Sequence, residues 1–256
     1  MHVFAVPDLP EFTNGDAIAA TIEDSSDIRD DDVVCIASTI VSKVEGRAAD
    51  LSSFDPSTRA DRISQRLTSI HGDVVDPRFI QAIIEDSTEL ITEVPFILSL
   101  TEFGHIGVNA GIDRSNTGSN DLLLLPKDPS RSAAQIREAF SADPAVIVTD
   151  TSGRPFRTAQ RGVAIGWAGI PATRDWRGEI DRDGHELEVT VESVIDELSA
   201  AANLVTGEGN DGFPVAVIRD FEFGEHDSTD TLYRAESNDI VRSALKEWNY
   251  EEENGE

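Results

Sequence analysis

The sequence has very little cysteine, which excludes several kinds of functional site. Cys35 is its single cysteine, so neither an intrachain disulfide nor a cysteine-based metal motif can form. It lies within an apolar run at 33–37, which is typical of a buried strand. A strand interior lacks the positive surroundings that make a thiol reactive. We therefore do not expect a catalytic cysteine.

Positive charge is also scarce. Lysine occurs only at positions 43, 127 and 246, and 21 Lys and Arg residues stand against 49 Asp and Glu residues, for a net charge of -28. Such an excess destabilises a compact chain unless salt screens it, and about 1 M salt shortens the Debye length to about 3 Å. Because 39% of the residues are hydrophobic, an acidic disordered chain is disfavoured. The composition indicates a globular enzyme adapted to salt, and it argues against nucleic-acid binding, which needs a basic patch.

Several common motifs are missing. The sequence has no G-x-x-x-x-G-K-[ST], no G-x-G-x-x-G after a strand, no H-E-x-x-H and no G-x-S-x-G. No apolar stretch reaches membrane-spanning length and no basic-then-apolar leader pattern is visible, so we expect a cytoplasmic protein without a membrane partner. Any nucleotide that binds must be held without a P-loop or a Rossmann half.

Apolar periodicity predicts a mixed α+β fold. The predicted strands are 2–6, 33–37, 94–100, 105–109, 121–125, 145–149, 162–169 and 215–218, and the predicted helices are 57–71, 77–90, 130–141 and 191–203. Glycines within 162–169 predict close backbone contacts there. The length suits one large domain or two closely joined ones, which we place at 1–245, with an acidic C-terminal tail at 246–256.

Two aspartates are the strongest candidates for chemistry. Asp150, with Thr151 beside it, follows the predicted strand 145–149, and Asp113 follows the strand that contains Ile106. Each precedes an arginine in a glycine-bearing turn, as Arg114 does after Asp113. Oxygen ligands hold hard cations, which in turn bridge phosphate oxygens, so the pair predicts a metal-phosphate site. Asp near Gly also forms ordinary turns, and either residue taken alone is more often structural.

Two further segments are candidate nucleotide contacts. If a strand ends at Ala37 and Ser38 caps the next helix, Lys43 lies in its second turn, and free backbone N–H groups and hydroxyls face one anion. A solvated Lys43 is the equally weighted alternative. The glycine-rich segment 206–212 lies between a helix and a strand. It either only turns the chain or lets Glu208 add a ligand to the metal site.

Several blocks of this sequence together resemble the coenzyme F420-0 gamma-glutamyl ligases. They are Leu9-Pro10, S-T-I-V-S-K-V-E-G-R at 38–47, G-I-D-R-S-N at 111–116, T-D-T-S-G-R-P-F-R at 149–157, and the segments 162–169 and 234–242. The likeness extends from about residue 3 to residue 243. The G-I-D-R-S-N and D-T-x-G-R-P-x-R blocks, in that order, are its most specific part.

The resemblance implies an enzyme that uses GTP to add L-glutamate to F420-0, a deazaflavin linked through lactyl phosphate, and in some cases to F420-1. It implies two Mg²⁺ or Mn²⁺ ions per site, K⁺ as an additional ion, and an intimate homodimer with a mixed α+β fold. Asp113, Asp150, Thr151 and Glu208 would be metal ligands, and Asp113 and Asp150 would act in catalysis. From the chemistry of their side chains, Arg114, Arg154 and Arg157 are candidates to stabilise the transferring phosphoryl group or the anionic groups of the substrate in catalysis. The implied GTP contacts are Leu9, Pro10, Glu11, Phe12, Ser38, Thr39, Lys43, Asn116, Thr206, Gly207, Glu208, Gly209, Asn210, Asp211, Gly212 and Phe213. Glu208 stands where the family commonly has Gln or Lys.

The residue chemistry agrees with this resemblance without requiring it. Phosphoryl transfer needs positioning and charge neutralisation rather than a nucleophilic side chain, so the lack of a catalytic triad is consistent. A metal-dependent phosphohydrolase or kinase could use the same Asp, Thr and Arg residues. A non-catalytic module that binds a nucleotide or cofactor is the third hypothesis.

Overall fold

A computed structural model describes residues 1–209, 212–248 and 250. Its helices are α1 (Ile18–Ser25), α2 (Ser38–Val44), α3 (Thr58–His71), α4 (Pro77–Glu85), α5 (Pro129–Ala139), α6 (Val194–Thr206) and α7 (Ile240–Glu247). Its strands are β1 (His2–Ala5), β2 (Val33–Ala37), β3 (Ala48–Ala49), β4 (Glu89–Thr92), β5 (Leu98–Leu100), β6 (Ile106–Val108), β7 (Leu122–Leu123), β8 (Ala145–Arg154), β9 (Arg157–Ala168), β10 (Thr173–Asp175), β11 (Val191–Ser193), β12 (Val215–Arg219) and β13 (Asp227–Thr229). In the part of the chain described, no helix combines the length and hydropathy that crossing a membrane requires.

The chain folds into two compact units. The first comprises residues 1–46 and 128–232, and the second comprises 47–127 and the described residues from 233 onward. Both contain helices and sheets, and the sheets of the first unit include parallel and antiparallel pairs. The predicted mixed α+β fold is therefore confirmed.

A five-stranded sheet forms the centre of the first unit, in the order β1-β12-β2-β8-β9. Strands β2 and β8 are parallel, and the other neighbours are antiparallel. The predicted strand 33–37 is confirmed as β2, and Val33, Val34, Cys35 and Ile36 are buried. Burial raises the pKa of the Cys35 thiol to about 12, so it stays protonated and unreactive at neutral pH.

Helices cover both faces of this sheet because its strands are apolar on both sides. Val33, Cys35 and Ile147 pack with Ile195 and Leu198 of α6. Neighbouring residues of a strand point to opposite faces, so the alternate residues of β2 and β8 point away from α6. Helix α5 contacts β8 and β9 and covers that second face of the sheet. A near-continuous apolar strand is what burial on both faces requires.

The glycines of β9 allow helices to approach its backbone, as the sequence predicts. A Cβ on Gly162 would lie 2.5 Å from the Ser199 carbonyl oxygen of α6, and one on Gly166 would lie 2.2 Å from the Pro129 carbonyl carbon of α5. Val148 of β8 pairs with Gly166 of β9, and the next residue, Thr149, pairs with Ala164. Strand β9 therefore has one extra residue at this point, which is a β-bulge. Across the bulge, the alternation of side chains between the two faces of the sheet shifts by one residue. Gly162 and Gly166, four residues apart, therefore meet helices on opposite sides of the sheet.

Gly166→Ala is expected to lower the free energy of unfolding by about 3 kcal/mol, since its methyl group would overlap the backbone of α5 and neither element can yield cheaply. Urea unfolding measures this. Gly153→Ala is the matched control, because Gly153 has open space around the Cβ position and its φ is not in the left-handed region. An equal, small effect of both substitutions would contradict the close packing of β9 on α5.

The second unit has its own core. Helices α3 and α4 pack through Ile63, Leu67, Phe79 and Ile83 against Leu122 of β7. Strands β4, β5 and β6 form an antiparallel sheet, and β3 pairs with β7. Helix α3 begins after Ser57, whose side chain accepts a hydrogen bond from Ala60 N, and ends at Gly72 in the left-handed conformation.

Helix α7 extends into the segment predicted as an acidic tail. It runs through Glu247, and the Lys246 ammonium pairs with the carboxylates of Glu89 and Glu236. Arg242 of the same helix also pairs with Glu89. Asn249 and residues 251–256 of that segment lie outside the described residues.

Some predicted boundaries are wrong. The helix predicted at 77–90 ends at Glu85, and β4 follows it. The helix predicted at 191–203 begins only at Val194, after β11, and runs to Thr206. The strand predicted at 145–149 continues to Arg154, and α1 was not predicted. Strand pairing with distant segments decides these cases, and local periodicity does not contain that information.

Candidate active site

Asp150 and Thr151 lie inside β8 rather than at its end, which corrects the predicted strand-end position. They pair with Val163 and Gly162 of β9, and β8 turns back only at Pro155 and Phe156. Because consecutive strand residues face opposite sides, the two side chains point to different faces of the sheet. Thr151 shares its face with Ile147 and therefore with α6, whereas Asp150 points to the other face.

The contacts of the two side chains agree with this division. On one face, the Ser38 hydroxyl lies 3.5 Å from Asp150 Oδ1, at the limit of hydrogen bonding. On the other, Thr151 Oγ1 donates to Glu208 Oε1 at 2.9 Å. Asp150 and Thr151 are both half-buried. The predicted site residues of the first unit thus form two oxygen clusters, one on each side of β8.

Glu208 is held by a residue that the sequence reasoning missed. Asn203, in the last turn of α6, donates from Nδ2 to Glu208 Oε1 at 2.7 Å. Thr151 donates to the same oxygen. In the sequence, Asn203 and Glu208 are five positions apart across the end of a helix, and this spacing does not predict a contact between them. Two neutral donors therefore fix an exposed carboxylate.

The segment after β2 is helical, as predicted, but the residue at its N-cap is not the predicted one. Strand β2 ends at Ala37, and Ala37 is also the N-cap residue of α2, with no side-chain hydrogen bond at the cap. Ser38 is the first helical residue, so its predicted capping role is wrong and its hydroxyl is available to Asp150. Thr39 follows it in the first turn. Lys43 lies in the second turn, as predicted.

Lys43 meets another predicted nucleotide contact, Glu11. The Lys43 ammonium and the Glu11 carboxylate form an ion pair in which Lys43 is largely shielded and Glu11 is exposed. Leu9 and Pro10 precede Glu11 in the loop between β1 and α1, whereas the side chain of Phe12 is only 4% exposed and belongs to the core. Phe12 therefore has little exposed surface for its predicted contact with GTP.

The glycine-rich segment connects α6 to β12, as predicted. Thr206 is the last residue of α6, and Gly207 follows as its C-cap with φ of 69°. Gly209, Gly212 and Phe213 belong to the described part of the loop, and Gly212 has φ of 76°. The predicted contacts Asn210 and Asp211 lie outside the described residues.

Two predicted site residues, Asp113 and Asn116, belong to the second unit. Asp113 does not follow β6 directly, because a 3₁₀ turn at Asn109–Gly111 intervenes. Its backbone N–H and C=O each bond to Leu123 at 2.9 Å, which fixes the main chain at this point. The Arg114 guanidinium lies over the Phe79 ring at 5.3 Å, and Asn116 is exposed with φ of 55°.

Arg154 and Arg157 lie on either side of the β8–β9 turn. They are paired across the hairpin, and Arg154 Nη1 donates to the Ala159 carbonyl oxygen at 3.3 Å. Phe156, in the turn itself, is fully exposed. The structure therefore places both arginines a few residues beyond Asp150 on one continuous hairpin.

The donor set suits a hard cation that arrives with further oxygen ligands. Within the described residues, no group of three or more His, Cys, Asp and Glu side chains is arranged to hold a metal ion. Mg²⁺ usually keeps several waters and binds through one or two carboxylates plus substrate phosphates. The Asp150 carboxylate on one face of β8, and the Thr151 and Glu208 oxygens on the other, each fit that mode of binding, in which a bound phosphate completes the coordination.

Comparison with known proteins identifies the family of this chain. The family model of F420-0:gamma-glutamyl ligase matches residues 8–220. The coenzyme F420:L-glutamate ligases of Halobacterium salinarum and Halorubrum lacusprofundi are each 60% identical to this chain, over 98% of it and 99% and 100% of their own lengths. The enzyme of that name from Archaeoglobus fulgidus is 42% identical, over 96% of this chain and 98% of its own. On these matches, the chain belongs to the F420-0:gamma-glutamyl ligase family.

Proposed function

We propose that this protein is a GTP-dependent ligase that adds L-glutamate to coenzyme F420-0, and to F420-1, in coenzyme F420 biosynthesis. Membership of the ligase family supports the reaction type. The observation that carries the proposal is the pair of oxygen clusters on β8, Asp150 with Ser38 and Thr151 with Glu208. Such clusters suit a phosphate-bound cation, and the Asp150 cluster includes Ser38 of α2, the helix that carries the predicted nucleotide contact Lys43.

The proposed reaction has two steps. An oxygen of the F420-0 carboxylate attacks the γ-phosphorus of GTP, and GDP leaves with the electrons of the broken P–O bond. The amine of glutamate then attacks the acyl phosphate carbon, phosphate leaves, and the nitrogen loses a proton to complete the amide. Neither step needs a nucleophilic side chain, so the protein contributes position and charge.

We assign roles to this chain's own residues in that reaction. Asp150 of the first unit and Asp113 of the second are proposed ligands of divalent cations, as are Thr151 and Glu208. Bound Mg²⁺ or Mn²⁺, with K⁺ as a further ion, would neutralise phosphate charge. Arg154 and Arg157 would bind the transferring phosphoryl group or the anionic groups of the acceptor.

The nucleotide would lie against α2 and the loop at 9–12. Lys43 would exchange its ion pair with Glu11 for the phosphates, since a compact ammonium readily changes partner. Ser38 and Thr39 supply further hydrogen-bonding groups, as does the loop between α6 and β12. Because Lys43 must leave Glu11 to bind the phosphates, we expect Glu11→Gln to tighten GTP binding.

Asn203→Ala tests the arrangement around Glu208. Without the Nδ2 donor the carboxylate loses one of its two restraints, and we expect Mn²⁺ affinity in the presence of GDP to fall about tenfold. Electron paramagnetic resonance of free Mn²⁺ measures the affinity without turnover. Asn238→Ala, at an exposed position of the second unit, is the control. Equal Mn²⁺ affinity of both variants would show that Asn203 does not position a ligand.

A metal-dependent phosphohydrolase or kinase is the second candidate, because the same Asp, Thr and Arg residues could serve it. Glutamate dependence separates the two. We expect GTP consumption by the purified protein to require both F420-0 and glutamate, measured as phosphate release with each substrate omitted in turn. Phosphate release that ignores both would favour the hydrolase. A module that only binds GTP would release none.

A homodimer located in the cytoplasm belongs to the same proposal. It rests on the family resemblance. Light scattering of the purified protein at high salt gives the mass directly, and a mass of one chain would contradict it.

A further inference from the structure

One hairpin differs in charge from the rest of this acidic chain. Of the 256 residues 49 are Asp or Glu, yet none of residues 151–174 is acidic. The segment contains Arg154, Arg157 and Arg161 close together. We call residues 152–161, the outer end of the β8–β9 hairpin, the arm.

The arm stands away from the rest of the sheet. Strand β2 pairs with β8 only as far as Thr149, so beyond that point no strand other than β9 lies beside β8 among the described residues. Every residue from Pro155 to Arg161 is exposed. A two-stranded hairpin is marginally stable alone, so a long exposed one needs a use other than stability.

Among the described residues, no carboxylate forms an ion pair with the arginines of the arm. Ten arginines elsewhere in the described chain form ion pairs, at positions 29, 47, 59, 62, 78, 137, 174, 177, 219 and 242. Arg154, Arg157 and Arg161 form none with the described residues, although acidic residues outnumber basic ones more than twofold. Arg157 and Arg161, which are exposed, are therefore placed to bind an outside anion, whereas Arg154 also donates to the Ala159 carbonyl oxygen.

The tip of the arm carries a strained, exposed aromatic ring. Phe156 is fully exposed, and its φ of 65° lies in the left-handed region that Gly or Asn adopts more easily. Such conformations are strained and concentrate at sites that bind ligands. An exposed flat ring beside guanidinium groups offers stacking together with charge.

We propose that the arm binds the acceptor of the ligation, an anion that combines phosphate or carboxylate groups with a flat conjugated ring. Arg157 and Arg161 contact the anionic groups, and Phe156 stacks on the ring. Direct guanidinium contacts persist in concentrated salt, where longer-range attraction is screened. The arm follows Asp150 and Thr151 on the same strand, so a ligand held by it lies next to the phosphate-binding clusters. This inference rests on the proposed function.

Fluorescence titration with F420-0, in the presence of Mg²⁺ and a non-hydrolysable GTP analogue, tests the inference. Arg161→Gln is expected to weaken F420-0 binding about tenfold and to leave the affinity for the GTP analogue unchanged. Arg182→Gln is the matched control, since Arg182 is an exposed arginine in a turn of the same unit without an ion pair among the described residues. Equal F420-0 affinity of both variants would overturn the inference.

Phe156→Asn separates binding from folding. Asn accepts the left-handed conformation, so the melting temperature should be equal or higher, while loss of the ring should weaken F420-0 binding about fivefold or more. Unchanged affinity would overturn the role of the ring. A change of mass in light scattering, with F420-0 affinity intact, would make the arm an interface between copies and overturn its acceptor role. If the wild-type chain binds no F420-0 at all, the proposed function fails as well.

Discussion

Asp150→Asn is expected to lower the rate of GTP-dependent glutamate addition by about 1000-fold. The substitution keeps the size of the side chain and removes its negative charge, so a cation against the phosphates loses a ligand. The Ser38 hydroxyl can still bond to the amide oxygen, so local packing is retained. Initial rates of glutamyl-product formation at saturating Mg²⁺ measure the effect.

The control for this substitution is Asp183→Asn. Asp183 is an exposed carboxylate in a turn of the same unit, and its replacement changes the net charge by the same amount. Melting temperatures of both variants should lie close to the wild-type value. A turnover rate of Asp150→Asn within about threefold of the control would remove Asp150 from the catalytic machinery and with it the proposed metal site.

The melting temperature is expected to rise by more than about 10 °C between 0.1 M and 3 M KCl, because screening over this range removes most of the repulsion among surface charges. Salt also weakens the ion pairs, but exposed pairs contribute at most about 1 kcal/mol each. The 49 acidic residues against 21 basic ones leave repulsion as the larger contribution. Differential scanning calorimetry in a KCl series measures the rise.

A double variant checks that charge causes the salt dependence. Glu186→Gln with Glu188→Gln removes two exposed carboxylates from one loop of the first unit. It should melt higher than the wild type at 0.1 M KCl and equal to it at 3 M. A melting temperature that is flat across the KCl series, for either protein, would contradict salt adaptation.

Elements with a continuous apolar pattern could be predicted from the sequence. Strand β2 has the predicted boundaries because its residues are buried on both faces, and helix α3 begins within one residue of its prediction. The extension of β8 to Arg154 could not be predicted, since its outer half is exposed and is held by pairing with β9. Helix α1 has only two turns, too few for periodicity to be clear.

The candidate site shows the same limit. The T-D-T-S-G-R-P-F-R block pointed to Asp150 and Thr151, and the glycine-rich segment 206–212 pointed to Glu208. The structure brings Thr151 and Glu208 into contact at 2.9 Å. The opposite orientations of Asp150 and Thr151 follow from strand alternation once β8 is known to continue through them. Asn203 could not be predicted, because its contact with Glu208 depends on where α6 ends.

Mass spectrometry of the product made from F420-0, GTP, Mg²⁺ and L-glutamate tests the central claim most directly. The account predicts a product heavier than F420-0 by one or two glutamyl residues, formed together with one GDP and one phosphate per amide bond. Omission of GTP should abolish it. GDP and phosphate formed without any glutamylated product, at a salt concentration where the protein is folded, would contradict the account.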